Sequence, residues 1–217
     1  MTKHRVSTSG SAIQDARAVA VMVHGRGGTA EDILTLGRAV GAPDIAHVAP
    51  HAPAGTWYPH SFLAPIEDNE PYLTRSLEVI GNVLDDLKSQ GVPSERIVLI
   101  GFSQGACLAL EYAARNPERF GGIAGLSGGL IGPRGSARDY AGSLLDTPVF
   151  LGCSDVDAHI PLDRVKESTT VLQRMGAQVT ERIYPGMQHT IVDDEVKAVR
   201  AMLASIPSRS KDESHAA

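Results

Sequence analysis

The sequence is poor in cysteine and in aromatic residues: two cysteines and a single tryptophan stand among 217 residues. Two thiols cannot build a disulfide-stapled secreted scaffold. Cys107 and Cys153, both in apolar surroundings, read as reduced, buried small hydrophobes of a cytoplasmic protein. No apolar run is long enough to span a bilayer. The opening "MTKHRVSTSGSAIQDAR" lacks the apolar core of a secretory signal, so export is not indicated. No block of one charge is present either. The formal charge of −5 arises from interleaved acids and bases, and without clustered Lys and Arg a nucleic-acid partner is excluded. There is no internal repeat and no interdomain linker. The reading is an N-terminal extension over residues 1–16, one domain over 17–205 and a frayed polar tail over 206–217.

What is present is an alternation of short apolar runs and amphipathic stretches. "RAVAVMV", "IAHVAP", "RIVLIGF", "FGGIAGLSG", "TPVFLG" and "AQVTERIYP" read as strands, the third apolar enough to be buried on both faces. Helical spacing connects Ile33, Leu36 and Val40 in a helix that opens at Thr29, with Asp32 three residues on as in a capping box. The same spacing recurs from Pro71 to Gln90, from Leu162 to Met175 and over Val192, Val196, Val199 and Leu203. "GACLALEYAARN" is apolar nearly all round, so it predicts a central helix. Strands and helices in alternation imply a mostly parallel sheet with helices on both faces. Ligands bind beyond the carboxyl ends of such strands. The loops that start at His24, Ser103, Asp155 and His189 would meet there.

The chemistry centres on "GFSQG". A serine hydroxyl is a weak nucleophile that needs exposure and a base. The G-x-S-x-G turn between a buried strand and a helix supplies the exposure, because its glycines relieve crowding around the bend. Of eight histidines, His189 follows the last strand and precedes the last helix, which is the place of a general base that comes after serine and acid. "LGCSDVDAHIP" offers two acids to orient the imidazole, Asp155 and Asp157, and spacing alone does not separate them. An oxyanion needs two preorganised N–H donors. They are assigned to the amides of Arg26, in "HGRGG", and of Gln104, directly after the serine. "HGRGG" fits neither the dinucleotide nor the P-loop spacing, so nucleotide binding is not expected. His47 and His51 stand four apart, but Pro50 lies between them and no helix forms, so no metal is expected there. Ser127, in "GLSGG", lacks the nucleophile context and reads as structural.

With Ser103, an acid and His189 in that order, the chain resembles the α/β-hydrolase superfamily. More narrowly it resembles the phospholipase/carboxylesterase group that includes acyl-protein thioesterases. The matching pieces are "VHGRGGT", "VAPHAPAGTWYP", "ERIVLIGFSQGACLALEYA", "GLSGGL", "DAHIP" and "YPGMQHT", in the family's order over nearly the whole chain. The resemblance implies that fold, without a large lid because the segment from Leu126 to Thr147 is short. It also implies Asp157 as the acid, four residues before Pro161, although Ala158 stands where the family usually has proline. It further suggests Trp57 and Tyr58 as walls of an acyl pocket. The group of the same fold that uses a cysteine nucleophile is disfavoured by Ser103. The expected activity is cleavage of a small-molecule carboxylic ester or thioester through an acyl-enzyme, with no cofactor. Lactone or carbon–carbon bond hydrolysis on the same machinery, and a non-catalytic binding module, are the alternatives.

Overall fold

The computed structural model describes residues 5–208. In chain order the principal elements are β1 (Val6–Gly10), β2 (Ala18–Val23), α1 (Ala30–Val40), β3 (Ile45–Pro50), α2 (Tyr72–Ser89), β4 (Ile97–Phe102), α3 (Gln104–Arg115), β5 (Gly122–Leu126), β6 (Pro148–Ser154), α4 (Leu162–Arg174), β7 (Gln178–Tyr184) and α5 (Asp193–Ala204). The seven strands form one sheet in the order β1-β3-β2-β4-β5-β6-β7, parallel except where β1 pairs antiparallel with β3.

Successive residues of a strand face opposite sides of a sheet, and here both sides are core. In β2, Ala18, Ala20 and Met22 pack into one apolar cluster with α1 and α5, while Val19, Val21 and Val23 enter another with α2, α3 and α4. In β4, Val98 and Ile100 join the first cluster, and Ile97 and Leu99 the second. A strand with no polar position is stable only in this sandwiched setting, which is why "IVLIGF" is uninterrupted. Truncating one of these buried side chains, such as Leu99, to alanine would cost about 2–5 kcal/mol.

The start of α1 is held by the expected reciprocal cap: the Asp32 N–H donates to the Thr29 hydroxyl oxygen at 3.1 Å, and the Thr29 N–H donates to the Asp32 carboxylate at 2.9 Å. That helix ends at Gly41 in the left-handed region, with φ 65°. Between β5 and β6, residues 127–147 form no helix, and between β3 and α2 only two short 3-10 turns occur. Among the described residues the carboxyl edge of the sheet therefore carries no large lid.

Two differences from the sequence reading concern the ends. The expected extension over 1–16 contributes β1, an edge strand whose burial alternates along "VSTSG" and whose register pairs Val6 with Pro50 and Gly10 with Ala46. Of the expected tail over 206–217, Ile206 is buried and its carbonyl accepts from Arg17 Nη1 at 2.7 Å, while residues 209–217 lie outside the described residues.

At the head of α5, Glu195 is fully buried, and its Oε2 accepts the Val192 N–H at 2.9 Å. Its Oε1 has no partner among the described residues. Burial pushes this carboxyl up to about 7. The folded state then binds more protons than the unfolded chain between about pH 4.5 and 7, so stability falls as pH rises through that window and is level above it. Glu195→Gln is expected to flatten this slope, becoming more stable than the parent at pH 8 by up to ~3 kcal/mol. Urea unfolding at pH 5 and pH 8 measures it, and parallel pH profiles would contradict it.

Candidate active site

Four strand ends build the site, and the tightest of them is the junction of β4 and α3. Ser103 sits there with φ 55° and ψ −120°, a conformation that costs a non-glycine residue on the order of 1–3 kcal/mol. The bend is over-determined: the Ser103 N–H donates to the Leu126 carbonyl at 2.9 Å, and its own carbonyl accepts the Cys107 N–H at 3.0 Å. The flanking glycines are not in the left-handed region themselves. A Cβ on Gly101 would stand 2.3 Å from the Gly105 carbonyl oxygen, and one on Gly105 would stand 2.1 Å from that of Val23. The glycines are required by close packing of the turn on itself and on β2, so the strain falls on the serine.

His189 reaches this serine from the loop between β7 and α5. Its Nε2 lies 2.8 Å from Ser103 Oγ and its Nδ1 lies 2.7 Å from Asp157 Oδ2. The Asp157 side chain is 0% exposed, and its Oδ1 accepts the backbone N–H groups of His159 at 2.8 Å and Ile160 at 3.0 Å. Burial pushes this carboxyl up, but the hydrogen bonds from His189, His159 and Ile160 together outweigh it and hold the group below the usual carboxylate range. An ionised Asp157 accepts only, so Nδ1 of His189 carries the ring proton and Nε2 is free to accept from the serine hydroxyl. The imidazole is flanked by Phe102, with ring centroids 5.0 Å apart, and edge-on by His159 at 4.9 Å.

Asp155 does something different. Its Oδ1 accepts the Gly186 N–H at 2.8 Å, tying the β6 loop to the loop that carries His189. It touches the chain that presents the imidazole and makes no hydrogen bond to the imidazole.

Neither the Arg26 nor the Gln104 amide finds an acceptor among the described residues. The Gln104 N–H also heads a 12-residue helix, α3, where orphan amides and the helix dipole favour negative charge. The side chains of the same two residues carry a role that the sequence reading did not contain. Gln104 Oε1 accepts the Trp57 N–H at 3.0 Å and its Nε2 donates to the Tyr58 carbonyl at 2.8 Å. Arg26 donates to the Pro59 carbonyl at 2.9 Å and the His60 carbonyl at 2.7 Å. Together they staple residues 57–60 to the two residues that carry the free amides. The His24 ring is lowered below its usual pKa by burial and holds the loop neutrally, with Nδ1 donating to the Gly25 carbonyl and Nε2 accepting the Ala52 N–H.

Ser103 and His189 open onto a cavity of about 570 Å3 whose walls include Tyr58, Phe62, His159 and Ile160. Of the two aromatics expected as pocket walls, Tyr58 lines it and Trp57 does not. The Trp57 indole is 1% exposed, donates to the His24 carbonyl at 2.8 Å and packs on the His24 ring. Cys107 also borders the cavity, but burial pushes its thiol up to about 12, so it is no competing nucleophile. Among the described residues no three His, Cys, Asp or Glu side chains are grouped to hold a metal ion.

A family model described as Phospholipase/Carboxylesterase matches residues 6–206. The chain belongs to the phospholipase/carboxylesterase family. Its sheet and helices superpose on a crystal structure of a phospholipase/carboxylesterase from Dyadobacter fermentans with a TM-score of 0.89 and 43% identity, covering 94% of this chain and 97% of that one. Esterase PE8 superposes with a TM-score of 0.80 and 27% identity, covering 95% of this chain and all of that one. Among curated relatives, acyl-protein thioesterase 1 of Gibberella zeae is 32% identical over 143 residues, which is 63% of this chain and 59% of that protein. The chain thus spans about three fifths of the length of that relative, and less of the others like it. The fold is that of the α/β hydrolases, as the sequence reading expects.

Proposed function

We propose that this member of the phospholipase/carboxylesterase family is a serine hydrolase that cleaves carboxylic esters or thioesters through an acyl-enzyme. The observation that carries the reading is the unbroken chain Ser103 Oγ–His189 Nε2 and His189 Nδ1–Asp157 Oδ2, at 2.8 and 2.7 Å. Ser103 attacks the acyl carbon while His189 Nε2 takes its proton. The developing oxyanion is held by the Arg26 and Gln104 N–H groups. The carbonyl re-forms as the C–O or C–S bond breaks, and the heteroatom leaves with the proton from His189. Water then repeats the cycle on the acyl-serine, with His189 as base, and releases the acid. Asp157 keeps the imidazole in the required tautomer and stabilises its charged form. None of these steps calls for a cofactor.

The ester or thioester reading is favoured over lactone or carbon–carbon bond hydrolysis by the carboxylesterase and thioesterase names of the relatives. The two free, buried cysteines suit a reducing compartment, in keeping with a cytoplasmic protein.

Initial rates on p-nitrophenyl esters and on thioesters, from acetyl to palmitoyl, test the reading. Turnover that Ser103→Ala abolishes supports it, and no turnover on any of them would return a binding module, or an unusual substrate, to contention. Gln104→Ala keeps the amide but loses the staple on residues 56–58. It is expected to lower kcat/KM about tenfold by loosening the oxyanion donors. An unchanged kcat/KM would show that the staple does not position them.

A further inference from the structure

On the face of the sheet opposite α3, the helices α1 and α5 leave between them an apolar groove of about 410 Å3, walled by Ile33, Leu36, Ala39, Phe102, Ile191 and Val196. Its volume falls within the ~300–1,000 Å3 of small-molecule sites. None of the roles described above uses it. Three of its lining residues, Gly25, Arg26 and Phe102, adjoin the site. Gly25 lines the groove, and a Cβ there would stand 3.3 Å from Ser103 Cβ and 3.3 Å from the Phe102 ring. Phe102 in turn flanks the His189 ring. Arg26 borders both the groove and the larger cavity.

The polar groups at the groove's margin are already committed. The Asp32 carboxylate caps α1, the Arg26 guanidinium holds loop carbonyls, and both His24 nitrogens are bonded while burial disfavours its charge. These groups already serve the chain's own backbone, and the floor between them is apolar wall.

We propose that this groove receives the alkyl part of the departing alcohol or thiol, an assignment that rests on the hydrolase reading. The acyl arm becomes bonded to Ser103 in the first half-reaction and stays there until water releases it, so it belongs in the larger cavity, which touches Ser103 and Gln104 directly. The departing arm must carry its heteroatom past the His189 proton and then vacate the place for water. In that step the electron pair of the breaking C–O or C–S bond goes to the heteroatom, which takes the proton from His189 Nε2. The neutral alcohol or thiol lies along the Phe102 flank, in the groove. The substrates so selected are esters or thioesters of an apolar alcohol or thiol.

The test uses the full chain and its Ala39→Trp variant, since Ala39 is exposed on α1 and a tryptophan there fills the groove from outside the core. In a series of butyrate esters from methyl to octyl, the ratio of kcat/KM for octyl over methyl should fall about tenfold in Ala39→Trp. In methyl esters from acetate to octanoate, the chain-length dependence should keep its slope. If instead the acyl series responds, or neither does, the assignment is overturned. A second arm needs no turnover: 1-octanol should give a saturation-transfer NMR signal with Ser103→Ala that disappears when Ala39→Trp is added. Octanol binding that survives the tryptophan, or is absent without it, overturns the groove. Failure of the hydrolase reading shows separately, as a parent that turns over none of the esters or as turnover that persists in Ser103→Ala.

Discussion

Ser103→Ala is expected to lower kcat on a good ester by about 10⁵-fold while leaving the fold intact. The size follows from what the hydroxyl does. In the proposed mechanism it forms the covalent bond that divides a difficult hydrolysis into two easier steps, so its loss leaves only binding and the proposed oxyanion donors to assist water. The substitution should not unfold the chain. It removes one oxygen whose only side-chain partner among the described residues is His189, and it keeps both backbone hydrogen bonds of the turn. The strained φ of 55° persists with either residue, so stability should change by less than ~1 kcal/mol. Initial rates on purified protein, with circular dichroism alongside, decide it. A variant that keeps more than about a tenth of the parent rate would remove Ser103 from the mechanism.

Asp157→Asn should cost about 10⁴-fold in kcat, and Asp155→Asn less than about tenfold. The reason lies in protons rather than in space. An asparagine at 157 can keep one oxygen on the His159 and Ile160 N–H groups, as Oδ1 does now. The amide nitrogen then faces His189 Nδ1 as a donor. That forces the ring proton onto Nε2, which can no longer accept from the serine. Asp155→Asn retains an oxygen for the Gly186 N–H and alters no tautomer. Paired kinetics on the two variants checks the ranking, and a larger loss at 155 would transfer the orienting role to Asp155.

Much of this site was legible because its elements obey simple local rules. The uninterrupted apolar run before Ser103 announces a central strand, the glycines announce a crowded turn, and the Thr29–Asp32 pair announces a helix start. His189 could be chosen from among eight histidines because the order of elements puts the loop after the last strand on the ligand-binding edge. The misses are equally physical. "VSTSG" is polar on a half-exposed edge strand, where no apolar run is needed, so it resembled an extension. Trp57 and Tyr58 are neighbours in an irregular loop without a period, and adjacent side chains diverge, so only one could line the cavity. Asp155 and Asp157 follow the same strand, and spacing could not tell which carboxylate turns toward the imidazole. The staples from Arg26 and Gln104 end on backbone carbonyls of residues 58–60, which no pattern of side chains encodes. A search for long polar side chains on the residues whose amides are proposed as oxyanion donors could have nominated them.

The most direct measurement is rapid acid quench of the enzyme with a p-nitrophenyl ester, followed by intact-mass and peptide mass spectrometry. The expected result is an adduct of one acyl group on the peptide that contains Ser103, formed with a burst of p-nitrophenol and absent in Ser103→Ala. An acyl group mapped to any other residue, or steady turnover with no acylated protein and no burst under conditions where deacylation limits the rate, would contradict nucleophilic catalysis by Ser103.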